Sequence, residues 1–151
     1  MTDRPPRPAG WDRRLADEFT AAADREWSWG AHDCATFAGR CVSAMIGPSP
    51  ADRVLGRHHT RIGAARVLRR EGFGDLAEAA DALFPPLPLA FAMRGDLAAV
   101  RMSAEGRPHP DGEPAFGIVE GSHIVLAGTP RGLARVPRRL AFRAWRIDPT
   151  E

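Results

Sequence analysis

Phe84-Pro85-Pro86-Leu87-Pro88 divides the chain. Proline has no backbone N–H and a fixed φ, so no helix continues through this stretch. Before it, apolar residues recur at helical spacing. After it, they come in short runs bounded by Gly or Pro, as strands do. Helices first and strands second, without alternation, predict an α+β fold in which N-terminal helices pack on a C-terminal antiparallel β-sheet.

Reading back from the prolines, Leu76 to Phe84 is a helix, with Asp75 and Glu78 placed as a capping box. A helix begins at Thr60, turns Ile62, Ala65, Val67 and Leu68 toward a core, and stops at Gly72. Another runs from Cys34 to Met45, capped by Asp33, with Phe37, Cys41 and Met45 on one face and Gly47-Pro48-Ser49-Pro50 at its end. The first spans Trp11 to Ala23, with Leu15, Phe19, Ala22 and Ala23 inward. Residues 1–10 are a Pro/Arg-rich arm, and 11–148 form one domain.

Reading forward, the strands are Leu97–Met102, Phe116–Glu120, His123–Leu126, Leu133–Val136 and Phe142–Ile147. Glu120-Gly121-Ser122 makes a short hairpin turn, and Gly106 to Pro114 a polar, mobile hairpin tip.

Composition narrows the possibilities. The chain has 151 residues, 44% of them hydrophobic, and a formal charge of +2. That is enough apolar material for a core and too little net charge to indicate a nucleic-acid partner. No apolar run approaches the roughly 20 residues of a membrane helix, and the first residues lack a signal peptide's apolar region. All 21 cations are Arg, which fits a GC-rich coding sequence. The two cysteines, Cys34 and Cys41, would stand about 10.5 Å apart along one helix, too far for a disulfide. Free thiols fit a reducing compartment, and with no CxxC or paired His they make no zinc site. The sequence calls for no metal and no cofactor.

His32-Asp33-Cys34-Ala35-Thr36-Phe37 is where chemistry would sit. A thiol in the first turn of a helix meets free amides and the positive end of the dipole, which favours thiolate. Trp27, Trp29, Phe37 and Trp145 are aromatic enough to line a groove; Trp29 and Trp145 are expected in the core and Trp27 as a groove wall. Gly30 and Gly95 serve turns, and Asp96 accepts backbone hydrogen bonds at a strand start. Residues 131–146 carry Arg131, Arg135, Arg138, Arg139, Arg143 and Arg146 with no acid among them. Docking of an acidic neighbour through Arg135, Arg138, Arg139 and Arg143, or a merely solvated face, ranks above a phosphate track.

The order Trp29-Gly30, Asp33-Cys34, Arg94-Gly95-Asp96-Leu97, Gly117-Ile118, Gly132-Leu133, Arg143-Ala144-Trp145-Arg146 resembles the NlpC/P60 superfamily of papain-like cell-wall peptidases. It is most similar to a branch found in tailed phages and prophages of GC-rich bacteria. The likeness covers about residues 11–147. It implies a papain-like domain with Cys34 as nucleophile, framed by Trp27, Trp29, Gly30, Asp33, Gly95, Asp96, Ala115 and Gly117. The family's base, a His, falls on Ala115, and its orienting polar residue falls near Ala127.

A thiol hydrolase needs a base within hydrogen-bond reach, and alanine supplies none. His123 is the substitute that position allows. If Val119 pairs with His123, it shares a face with Ala115, though about 13 Å along the strand. His32, His58, His59 and His109 are expected as surface or turn residues. The resemblance therefore implies a tail-tip component, structural or assembly-related, with degenerate peptidase chemistry. Its partners would be hub-like or baseplate-like tail proteins. It would reside in the virion, and in the host cytoplasm during assembly, with no membrane partner. The alternative is an active cysteine peptidase or amidase that cuts peptidoglycan through Cys34 during genome delivery. A third reading is an assembly factor that leaves before the particle is complete.

Overall fold

The computed structural model describes residues 4–49, 52 and 61–149. Pro50, His58, His59 and Thr60 lie outside the described residues, as does the side chain of Ile62. Four helices precede five strands: α1 (Trp11–Ala22), α2 (Cys34–Ile46), α3 (Arg61–Arg70), α4 (Leu76–Leu83), β1 (Leu97–Met102), β2 (Glu113–Glu120), β3 (His123–Ala127), β4 (Leu133–Pro137) and β5 (Ala141–Trp145). The strands form one antiparallel sheet in the order β4-β3-β2-β1-β5. The α+β division at the prolines is thus as expected. Element ends differ by a few residues, as helix and strand boundaries commonly do.

The sheet has two covered faces. On the inner face Leu97, Ala99, Phe116, Ile118, Val125, Ala127 and Trp145 meet α1, α2 and α4 in one core. Leu15, Phe37, Cys41 and Met45 of the helices are fully buried there, and Phe19 of α1 stacks on Phe37 at 6.0 Å between ring centroids. Ala23, expected inward, is the cap just past the end of α1 and is exposed.

The outer face, with Ala98, Val100, Val119, Ile124, Leu126, Val136 and Ala144, is covered by no α-helix among the described residues. A strap runs over it instead. Leu87 donates to the Ala144 carbonyl and Arg146 to the Pro85 carbonyl, so the proline segment lies along β5 and pairs its outer edge. Leu87, Leu89 and Ala92 then cap the outer cluster, with a 3-10 turn at Leu89–Phe91. This is why β1 reads Leu-Ala-Ala-Val without alternation: both of its faces are buried.

The N-terminal arm is docked. Arg4 grips Asp96 with both terminal nitrogens, at 2.7 Å each, and its Nε reaches Asp148 at 2.8 Å. Arg7 donates to Asp96, to the Arg94 carbonyl and to the Ile147 carbonyl.

Candidate functional site

Asp33 builds the start of α2. One carboxylate oxygen accepts from the Thr36 amide at 2.8 Å, and the other from the Gly30 amide at 2.7 Å. A single buried side chain therefore caps the helix and closes the preceding turn. Cys34 follows as the first helical residue, and it is partly exposed.

The loop between β3 and β4 holds this region from the other side. The Pro130 carbonyl accepts from Trp27, and Gly132 donates to the Arg25 carbonyl. The Gly132 carbonyl accepts from the Gly128 amide and, at 2.8 Å, from His32 Nε2. A Cβ on Gly132 would stand 2.7 Å from the Ala23 carbonyl oxygen, and its φ is +73°. That close approach explains glycine in the Gly-Leu pair.

His32 is the largest departure from expectation. It is 1% exposed, not a surface or turn residue, and it lies edge-on to Phe37. Because a carbonyl only accepts, Nε2 carries a proton. Nδ1 is buried without a partner. Thr36 Oγ1, on the same turn as Cys34, is also buried and unpartnered. Such groups are costly, so they stand out in a folded chain.

No imidazole of a described residue bonds the Cys34 sulfur. His32 Nε2 is used by Gly132 and its Nδ1 has no partner. His109 sits exposed in the β1–β2 hairpin and accepts from the Asp111 amide. His58 and His59 lie outside the described residues.

His123 is exposed and pairs with Ser122 Oγ. The register corrects the expected one: Glu120, not Val119, faces His123. A one-residue shift moves a side chain to the other face of the sheet. His123 thus has the parity of Val125, on the inner face, while Ala115 packs against the outer cluster. Ala115 is therefore turned away from α2. Gly117 shares that outer side, where a Cβ would collide with Ile124 Cγ2.

The thiol behaves opposite to the expectation from its helix position. Burial pushes Cys34 up to about 11; the Phe116 amide opposes this, the Asp33 carboxylate adds to it, and the amides of Ala35 and Cys34 itself oppose it more weakly. The surrounding protein outweighs the helix terminus, although the residue keeps an edge open to solvent. Burial also raises Cys41, well above the ordinary thiol range. Both thiols are free. Cys34 is therefore a thiol shifted toward its protonated form, with no acceptor for its proton among the described residues.

Trp145 is fully buried, as expected, its Nε1 donating to Asp81 at 2.9 Å. Trp27 is half-buried with one side packed against the core, and Trp29, expected in the core, rests edge-on against Trp27 at 5.7 Å and is half-buried. Asp96 takes more than the expected backbone bonds from Met93 and Ile147, since both arm arginines converge on it. Sequence reading missed Arg4 and Arg7; their spacing in a Pro-rich arm was the available signal.

The arginine-rich segment is less free than its charge implied. Arg143 bonds Asp81, Arg146 bonds Asp148 and Arg131 bonds Glu26. Arg138 donates to the carbonyls of Leu89 and Ala92 at 2.6 and 2.7 Å. Of the expected docking residues, Arg135 and Arg139 are exposed with no ion pair among the described residues. Among the described residues no group of His, Cys, Asp and Glu is placed to hold a metal ion, and no helix is long and apolar enough to cross a membrane.

A family model described as "Domain of unknown function (DUF6950)" matches residues 6–147. No curated protein matches the chain.

Proposed function

The chain belongs to the DUF6950 family, and we propose that it serves as a structural or assembly component of a phage or prophage-derived tail tip, built on an NlpC/P60-like domain whose hydrolase chemistry has lapsed. The observation that carries this reading is the state of Cys34. Its sulfur has no imidazole partner among the described residues, and burial holds the thiol protonated. A nucleophile in that condition lacks both the thiolate and the base that acyl transfer requires. The arrangement around it still supports the likeness: a cysteine opens a helix that packs on an antiparallel sheet, behind a Trp-Gly turn closed by the capping Asp33.

The test uses the full chain. Purified peptidoglycan is incubated with the protein and with Cys34→Ser, and soluble fragments are measured. Equal, background release from both is expected. The alkylation rate of Cys34 should inflect near 11 and be about a hundredfold below that of a thiol titrating near 9, because the rate follows the thiolate fraction. Mass spectrometry of purified particles should find the chain. Fragment release abolished by Cys34→Ser would establish the peptidase alternative, and its loss in His58→Ala or His59→Ala would identify the base. A chain found with assembling tails and missing from finished particles would establish the departing assembly factor.

A further inference from the structure

We infer that the outer side of the molecule, where the 3-10 turn at Leu89–Phe91 meets the 3-10 turn at Arg138–Leu140, docks an acidic segment of a partner protein that inserts an apolar side chain between them. The two turns enclose an open groove of about 490 Å³ lined by Leu89, Ala90, Ser122, Pro137, Arg138 and Arg139. The floor is apolar and the charged lining residues are both cations.

The groove's wall is held in place. Arg138 spends its guanidinium inside the protein, donating to the Leu89 and Ala92 carbonyls and at 3.4 Å to the Gly121 carbonyl. These bonds fix the first turn against the second. They fix it in an arrangement that leaves Phe91 65% exposed and Met93 46% exposed. Neither side chain lines the groove itself; both belong to the segment that follows Leu89 and Ala90 of its wall, and large apolar side chains left in water beside a groove mark an association site more often than a solvated face. Phe, Met and Arg are also the residue types enriched where proteins meet.

Charge selects the occupant. Arg139 is exposed with no ion pair among the described residues, and no carboxylate lines the groove. Glu120, on the neighbouring hairpin, is already held by Arg94 at 2.9 Å. A partner segment must therefore bring its own carboxylates to Arg139 and an apolar residue for Phe91 and Leu89. A partner of the same charge would meet uncompensated repulsion. This deepens the assembly reading and rests on it, by giving the neighbour a chemistry and this chain a docking face; Cys34, beneath the opposite face of the sheet, plays no part.

The probe is a synthetic peptide of Asp, Glu and Leu, titrated into the full chain while amide NMR shifts are followed. Shifts confined to residues 89–93, 122, 138 and 139 are expected. Phe91→Ala and Arg139→Glu should each weaken binding about tenfold or more. Both side chains are exposed, so the variants keep the fold, and unchanged amide shifts elsewhere verify it. Absence of binding, shifts mapping to another face, or affinity indifferent to both variants would overturn the proposal. So would self-association abolished by Phe91→Ala, which would make the occupant a second copy, or preferential binding to phosphatidylglycerol vesicles, which would make it a lipid surface. None of these outcomes depends on peptidoglycan release. A chain that enters particles normally as Phe91→Ala plus Arg139→Glu would remove this face and leave the assembly role standing.

Discussion

Asp96 and Cys34 are two polar centres drawn from the same run of motifs, and they are treated in opposite ways. Asp96 is fully buried, and its two oxygens take the guanidinium groups of Arg4 and Arg7 and the amides of Met93 and Ile147. The Asp96 bond raises Arg4, whereas burial, the larger influence on the more enclosed Arg7, lowers it. Around Cys34 the Asp33 cap is complete, but His32 Nδ1 and Thr36 Oγ1 are stranded and the thiol stays protonated. The difference teaches that the first centre holds the fold together, while the second is kept at some expense to it. A buried group with every bond made is a fastening; a buried group with bonds missing is a place where stability is not the only demand.

The largest effect should come from breaking the fastening. Asp96→Ala leaves two guanidinium groups facing one another, one of them with a side chain 4% exposed. It is expected to cost about 3–5 kcal/mol, read as a lower urea midpoint. A loss under about 1 kcal/mol would show that the arm contributes little and that the contrast is false.

Gly132→Ala tests the clamp over the second centre. The new methyl would crowd the Ala23 carbonyl in a left-handed conformation, at about 1–3 kcal/mol in the same assay.

The pH response comes next. The unfolded thiol ionises near 8.5, and the folded Cys34 near 11. Between those values the unfolded chain binds fewer protons than the folded one, so stability is complete below about 8.5 and falls as pH rises toward 11. Cys41 acts in the same direction. Urea titrations from pH 8 to 11 check this, and in Cys34→Ala the slope should shrink.

The smallest effect is the most telling. Thr36→Val removes a buried hydroxyl that has no partner and should leave stability unchanged or raise it by up to about 1 kcal/mol. A clear loss would mean that the hydroxyl is engaged, and that the two centres are more alike than they look.

Much of the fold was legible in the sequence because its signals are local. Asp33 and Asp75 accept from the amides three residues on, as capping residues do. The turn at Gly121-Ser122 and the end of the helical half at the prolines follow from single residues. Register was not legible: pairing Val119 or Glu120 with His123 differs by one residue, and the apolar run Phe116 to Val119 fits either when both sheet faces are covered. That single step decided which face His123 and Ala115 occupy. His32 was missed because its neighbours in space, Gly132 and Phe37, include one that is 100 residues away. The direction of the Cys34 shift was missed because helix position can be read from a sequence and loss of water cannot. The internal partners of the arginine segment were not legible because charge is visible in sequence, whereas Asp81, Asp148 and two backbone carbonyls waiting for it are not.

The bond from Arg4 to Asp148 has a practical consequence. It pins residue 4 beside residue 148, so fusions attached before the one or after the other leave from a single corner. Two fluorophores carried there would report on the same corner of the surface, and a linker between those positions would close the backbone into a ring. Opening that ring at the polar tip around Gly106 would yield a circularly permuted protein with the same core, in which undocking of the arm becomes a tethered, reversible event.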